Sequence, residues 1–499
     1  MQFRISKPIS SYILHPLFLV LVVILNAVRN KLAFAPPDFL CVIVFTVAIL
    51  GFVFISYYIC LFLLKEKLKA GILASVFLFC MLWYFDIYYL LFGIESIKEI
   101  ITRFLFQKFH VVLLSIIILL IVSMYFFLKK TNRKLILLNR YLNIVFFLYI
   151  FVELYKISFN KQFEVTLLNK LNTKEIHHRS NPPRDIYYIV LDSYTSTSSL
   201  KNYWNYDNKE LTDFLKSKDF FIAENSKCNY NSTLFSIASS LNMSYLNVEN
   251  YKQAKNVQLS KMNDLINNNV VAKILSENGY EIKNLSLFDL KNIPPYYADP
   301  FDRKTNLFDR TIFFFITERM NITKEHQELM NIAQTNLTIF SMLGSTYNWE
   351  RKPIFCYAHL MMPHVPYFFD ENGNKMLEEY ARSEEQEKEK YLSQLKYTNR
   401  LLMQAINSLL SESKSESIII IQGDHGFRHL REVAFDEQLK EAETIFNAYY
   451  LPSDTLKKTD IYNSVSPVNT FRIIFNNYFG TDLFLLQDKS YNAEIKTNT

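Results

Sequence analysis

The chain has nine histidines in 499 residues, and four of them fall in two short motifs. One reads His359-Leu-Met-Met-Pro-His364 and continues Val-Pro-Tyr367. The other reads Gly423-Asp424-His425-Gly426, with His429 close behind. Packing does not explain such clustering. Imidazoles change charge near neutral pH, so they suit phosphate binding, leaving-group protonation or metal ligation. Adjacent Asp424 and His425 offer one oxygen and one nitrogen, a donor pair for a hydroxide-activating ion such as Zn²⁺ or Mn²⁺. The glycines beside them allow close backbone approach. A plain turn with Asp424 as helix N-cap fits the same letters. Asp192, followed by Ser193, carries the same two readings.

A further stretch, from Cys228 to Met243, is dense in hydroxyls. Its small residues at close spacing predict a tightly packed helix. Ser232 or Thr233 at its start would point a hydroxyl into the positive end of the helix dipole. An alkoxide nucleophile and its phosphate ester are stabilised there. The plainer alternative is that one of the two merely caps the helix. Asn231-Ser-Thr233 also matches an N-glycosylation acceptor, a weak match in so Asn-rich a chain.

These groups need a frame. Asp185-Ile-Tyr-Tyr-Ile-Val-Leu-Asp192 is a short β-branched and aromatic run bounded by turn residues, which predicts a buried strand. Residues 353–359 and 417–422 read the same way. Helical patterns lie between them, for example over 387–410 and 264–278. Strands alternating with helices predict an α/β domain with a mainly parallel sheet. Active sites of such sheets gather outside the carboxyl ends of the strands. Asp192, His359 and the Asp424-His425 pair all stand at such ends.

The first third of the chain is intensely apolar. Five stretches, 12–28, 39–64, 70–92, 111–128 and 135–155, approach the length a membrane span requires. The first is the weakest, and it lacks the cleavage site of a signal peptide. Arg4, Lys7, Lys65, Lys67, Lys69, Lys129, Lys130, Arg133 and Lys134 outnumber the basic residues of the alternate loops. That bias predicts a cytoplasmic N-terminus, and with five spans everything after Tyr155 is outside. Asp86 and Glu153 are the acidic exceptions within the spans. Arg140 is expected to pair with Glu153 or to face a headgroup. The organisation predicted is a transmembrane anchor over 1–158, a polar linker over 159–183, a catalytic domain over 184–488 and a tail over 489–499.

Net charge is +6, without a long basic run, which gives no reason to expect nucleic acid. Cys228 and Cys356 lie far apart without CxxC spacing, so two lone buried thiols are expected rather than a disulfide or zinc-thiolate site.

Taken together, the motifs resemble the sulfatase-like branch of the alkaline phosphatase superfamily, in particular lipoteichoic acid synthases and phosphoethanolamine transferases. The strings that carry the resemblance are Ile186 to Asp192, Asn229 to Asn242, His359 to Tyr367 and Gly423 to Gly426. Phe446 to Pro452 and Val468 to Arg472 complete the set. The resemblance implies a helical membrane bundle followed by an alkaline phosphatase-like α/β domain. It implies a divalent metal, Mn²⁺ or Zn²⁺ with Mg²⁺ also possible, bound by Asp192, Thr233, Asp424 and His425. Thr233 would be the nucleophile, forming a phospho-threonine intermediate. His364, with His359, would bind the phosphate or protonate the leaving group. The expected partners are a phospholipid donor and a surface glycan or lipid acceptor at a bacterial inner membrane. A hydrolase using the same site is the nearest rival, and a polytopic protein without catalysis a more distant one. Around Thr233 there is no Cys/Ser-x-Pro-x-Arg string of the kind true sulfatases carry, so no formylglycine is expected. Asp192 stands where lipoteichoic acid synthases have Glu, and Ser193 and Phe427 stand where Gly and Pro are expected.

Overall fold

The computed structural model describes residues 12–34, 39–92, 109–131, 135–158, 163–171, 176, 183–297, 322–344, 352–376, 383–412, 417–430, 432–452 and 461–495. The chain divides into two compact units, Met1–Lys161 with Asp302–Thr323, and Gln162–Phe301 with Lys324–Thr499.

In the first unit the described helices are α1 (His15–Phe34), α2 (Phe39–Leu64), α3 (Lys67–Leu82), α4 (Tyr84–Phe92), α5 (Phe109–Lys130) and α6 (Ile136–Ser158). A helix satisfies its backbone polar groups internally, which is what an apolar surrounding demands. Ile43–Leu64, Phe109–Lys130 and Ile136–Ser158 are long and apolar enough to cross a membrane, and His15–Arg29 is apolar but shorter. The predicted span 70–92 is divided at Trp83. Amide bonds still run through it, from Trp83 N to Phe79 O and from Ile87 N to Trp83 O, so the division is local.

The two ends of these helices are tied by different polar contacts. Lys69 Nζ donates to Thr131 O at 2.9 Å, so the first turn of α3 meets the residue after α5. At that end Asn143 Oδ1 accepts the amides of Leu14 and His15 at 3.1 and 2.8 Å. Asn139 and Asn143 donate to Tyr12 O there. At the other end Arg29 pairs with Glu153 at 3.0 Å, and Lys156 reaches the same carboxylate at 2.7 Å. Glu153 is therefore answered by Arg29 and Lys156, not by Arg140, whose side chain is exposed. The chain leaves α6 at the end opposite Lys69.

The second unit is built on six described strands: β1 (Ile186–Leu191), β2 (Phe221–Ile222), β3 (Glu281–Leu285), β4 (Ile354–Leu360), β5 (Ile418–Gly423) and β6 (Asn447–Tyr450). Their order is β2-β6-β5-β1-β4-β3. The β3–β4, β4–β1 and β1–β5 pairs are parallel, and β5–β6 and β6–β2 are antiparallel. Every residue of β1, β4 and β5 is buried. Burial on both faces is why these strands read as unbroken apolar runs rather than alternating ones.

The helices that matter for the site are α7 (Thr233–Asn242), α8 (Leu259–Asn267), α9 (Val270–Glu277), α10 (Glu384–Glu412), α11 (Phe435–Glu443) and α12 (Pro467–Tyr478). The pattern over 264–278 predicts one helix, but the structure has two. Asn269 caps α9, its side chain accepting from Ala272 N at 2.8 Å. A side-chain acceptor at that point competes with helix continuation. The segment read as a linker is tied down in part. Phe163 bridges Val257, Leu167 bridges Leu246, and both side chains pack on the core of this unit.

Candidate active site

β1 runs between β4 and β5, and the register places Leu191 beside Leu360 on one side and Gly423 on the other. Asp192, His359 and Asp424 therefore come to one edge of the sheet, and all three side chains are buried. Neither aspartate caps a helix. The helix after Asp192 is capped by Ser196, and the next helix after Asp424 is α11.

The turn after β1 is shaped by Ser193, whose φ of 63° lies in the left-handed region. A glycine there would adopt this conformation without a Cβ penalty, which is the physical reason for the residue expected at this place. Ser193 is held instead by bonds. Its amide donates to Asp424 Oδ1 at 3.0 Å and its hydroxyl to Gly426 O at 3.1 Å. Gly423 and Gly426 do allow close approach, but of the protein's own backbone. A Cβ on Gly423 would lie 2.4 Å from Tyr194 O, and one on Gly426 2.1 Å from Glu441 O.

His425 Nδ1 lies 2.7 Å from Gly426 O, so that nitrogen carries the proton. The lone pair on Nε2 then faces Asp192 Oδ1 at 3.3 Å, Asp424 Oδ2 at 3.5 Å and Thr233 Oγ1 at 3.2 Å. Thr233 is the first residue of α7. Ser232 occupies the N-cap, but its side chain makes no capping bond. At the far end of α7 the buried Arg472 guanidinium, from α12, donates to Met243 O through Nε and Nη2 at 3.0 and 2.7 Å. Burial lowers the Arg472 pKa to about 10. A cation at the C-terminus and a developing alkoxide at the N-terminus are both aligned with the helix dipole.

His364 Nδ1 donates to the carbonyl of Val365, and its Nε2 accepts from Arg428 Nη2 at 3.2 Å. Arg428 also reaches Asn231 O at 3.4 Å and Glu494 Oε2 at 3.8 Å. Burial lowers the pKa of His364 and of His359. Burial opposes the charge on Asp192, and a proton taken up by the neighbouring His364, His425 or His359 ring favours it, so the carboxyl is held below its usual range.

The donor set fits a divalent cation. Among the described residues, Asp192 Oδ1, Asp424 Oδ2 and His359 Nε2 are buried polar atoms without a hydrogen-bond partner. Uncompensated burial of this kind is costly, and a cation removes the cost. Two overlapping triads, Asp192-His364-His425 and Asp192-His359-Asp424, each hold their ligand atoms within 4.8 Å of one another. Asp192, Thr233, His359, His364, Asp424 and His425 are thus brought together. His429 lies at the rim, its ring 5.8 Å from that of His364 and its Nδ1 3.9 Å from Glu387 Oε1.

Sequence reasoning passed over Arg428 and the chain end. A lone basic residue two places after Gly426 has no signature of its own. Residues 491–495, within the segment read as a tail, pack beside the start of α7. Asn231 Oδ1 accepts the amides of Ala493 and Glu494, and its Nδ2 donates to Asn492. Asn231 is fully buried in this network, so it is no glycosylation acceptor.

The sulfatase family model matches residues 185–458, more than half of the chain. The chain belongs to the sulfatase family. Solved structures resemble it at a distance. The C-terminal periplasmic domain of EptC from Escherichia coli is 12% identical with a TM-score of 0.39, covering 67% of this chain and 93% of that one. The same domain has been solved in complex with zinc, at 11% identity, a TM-score of 0.38, and 63% and 85% coverage. The integral membrane protein lipooligosaccharide phosphoethanolamine transferase A from Neisseria meningitidis is 10% identical with a TM-score of 0.33, covering 88% of each chain. No curated protein sequence matches the chain.

Proposed function

We propose that this chain is a membrane-anchored, metal-dependent phosphotransferase. It would move a phosphoglycerol or phosphoethanolamine group from a phospholipid to an envelope glycan or lipid. The observation that carries the reading is the Thr233 hydroxyl at the start of α7, 3.2 Å from His425 Nε2 and beside carboxylate oxygens that lack partners.

Asp192, Thr233, Asp424 and His425 would hold the cation, Mn²⁺ or Zn²⁺ with Mg²⁺ as a further candidate. When bound, it lowers the pKa of the Thr233 hydroxyl and shields charge on the phosphoryl oxygens. Thr233 Oγ1 attacks phosphorus and loses its proton. The bond from phosphorus to the diacylglycerol oxygen breaks, and that oxygen takes up the proton that Thr233 has lost. Arg428 binds phosphoryl oxygens, His364 orients the guanidinium by accepting from it at Nε2, and His359 holds its neutral ring against Asp192. An acceptor hydroxyl then takes the group from Thr233 by the same displacement, which gives transfer. Water in the acceptor's place gives the rival hydrolase.

Support for the placement comes from the helical unit. Lys69 in the first turn of α3 meets Thr131 just after α5, and the chain leaves α6 at the opposite end. With the basic end cytoplasmic, the catalytic domain lies outside a bacterial inner membrane.

The test is diacylglycerol release by full-length protein in nanodiscs containing phosphatidylglycerol or phosphatidylethanolamine. Release that requires Mn²⁺ and is lost in Thr233→Ala supports the reading. Release that persists in Thr233→Ala overturns Thr233 as nucleophile.

A further inference from the structure

Helix α10 is 29 residues long, and its sequence reads as a solvated amphipathic helix. Three of its residues with polar side-chain atoms, Tyr391, Gln394 and Thr398, are nevertheless completely buried, and Thr398 only bonds back to Gln394 O within the helix. Tyr391 and Gln394 are three positions apart, so they share one face. Each is turned to a different loop of the site.

The Tyr391 hydroxyl donates to Ser193 O at 2.8 Å and accepts from Thr195 N at 3.2 Å. It thereby clamps the left-handed turn that follows Asp192 on both sides. Gln394 uses its whole amide on the other loop. Nε2 donates to the carbonyls of Pro363 and His364 at 3.2 and 3.0 Å. Oε1 accepts the amides of Phe368 and Phe369 at 2.6 and 3.3 Å. Further along α10, Asn399 accepts from the Tyr194 hydroxyl at 2.5 Å and donates to Asn208 at 2.7 Å. Apolar side chains would pack this face without the desolvation that a buried phenol and amide incur. Their polar atoms all end on backbone groups of two loops, and those loops carry Asp192 and His364.

We propose that α10 is the positioning strut of the site, with Tyr391 setting the Asp192 carboxylate and Gln394 setting the His364 imidazole. The Gln394 arm rests on the phosphotransferase reading; the Tyr391 arm requires only that the site binds a cation. Neither residue touches the reacting atoms. Both act through the ligands they hold, as supporting groups around metal sites do, where loss of one weakens metal binding by about tenfold or more.

The experiment uses full-length protein in detergent and two titrations: Mn²⁺ into metal-free protein, and inorganic phosphate into the Mn²⁺-loaded form. Tyr391→Phe removes one oxygen and should raise the Mn²⁺ Kd by about tenfold with phosphate affinity little changed at saturating Mn²⁺. Gln394→Glu keeps the shape and the acceptor but loses both donated bonds. It should weaken phosphate and leave the Mn²⁺ Kd unchanged. Melting temperature is followed for each variant. An unchanged Mn²⁺ Kd in Tyr391→Phe overturns the proposal. So does a loss of both affinities that follows only the fall in melting temperature, which is what a packing role predicts. Wild-type protein that binds Mn²⁺ but not phosphate overturns the Gln394 arm together with the phosphotransferase reading, whereas the Tyr391 arm is decided by Mn²⁺ alone.

Discussion

The Thr233 hydroxyl lies 3.2 Å from Nε2 of His425, although the two residues arrive from the first turn of α7 and the loop after β5. His425 directs Nδ1 to Gly426 O, so the nitrogen facing Thr233 carries a lone pair. A neutral imidazole in that position takes up a proton or shares a cation with the hydroxyl. The same nitrogen faces Asp192 and Asp424, which places nucleophile and metal donors within one small space.

Backbone geometry at Ser193 gives the first prediction. Ser193→Ala keeps the left-handed φ and loses the hydroxyl bond to Gly426 O, so it should cost about 1 kcal/mol. Ser193→Gly loses the same bond but is relieved of roughly 1–2 kcal/mol of left-handed strain, so it should be nearly neutral. Urea unfolding of the two variants checks the order. A glycine variant less stable than the alanine variant contradicts it.

Acid sensitivity follows from the imidazoles. Burial holds His359 below its ordinary 6.5, so the native state resists a proton that the unfolded chain accepts. His364 is shifted the same way. Their contribution is full above the unfolded value and is lost as pH falls below it. Asp192, also lowered, adds the same sign at more acid pH. Burial raises Glu441 and Glu443, which act in the opposite direction. Metal-free protein should therefore melt lower at about pH 5.5 than at about pH 7.5, and His359→Gln should flatten that dependence. A variant with the wild-type slope removes His359 from the account.

Arg428 donates to His364 and stands next to Asn231, beside the start of α7. Hydrogen bonds to charged groups contribute about 1.5–3 kcal/mol, so Arg428→Ala should weaken inorganic phosphate by roughly 10- to 100-fold. Arg428→Lys should recover only part, because an ammonium lacks the planar fork. Phosphate titration of Mn²⁺-loaded protein measures both. Undiminished binding in Arg428→Ala would place the phosphate elsewhere.

Metal removal should destabilise the protein through linkage. A cation at 100 times its Kd stabilises the native state by about 2.7 kcal/mol, and a chelator removes that increment. The metal-induced rise in melting temperature should disappear in Asp192→Asn and Asp424→Asn. A rise that survives both substitutions assigns the metal to another site.

The frame of the site was legible in the sequence because three strands are buried on both faces and so appear as apolar runs. Each ends near a polar residue that a turn alone does not require: Asp192, His359 and Asp424. The hydroxyl-rich run around Thr233 was legible as a helix start, yet only coordinates separate the uncapping Ser232 from Thr233, which faces His425. Arg428, Tyr391 and Gln394 were not legible. Their partners lie 25 to 198 residues away in sequence, and most are backbone atoms that leave no pattern in the letters. The helix breaks at Trp83 and Asn268 were hidden for a local reason, since the apolar pattern continues across both.

The central claim is a covalent bond to Thr233. Intact-mass measurement of full-length, Mn²⁺-loaded protein with phosphatidylglycerol or phosphatidylethanolamine tests it most directly, with Thr233→Ala beside it. The account predicts a mass increase equal to one head-group phosphate in the wild type, located at Thr233 and absent from the variant. An adduct of the same mass in Thr233→Ala would contradict it.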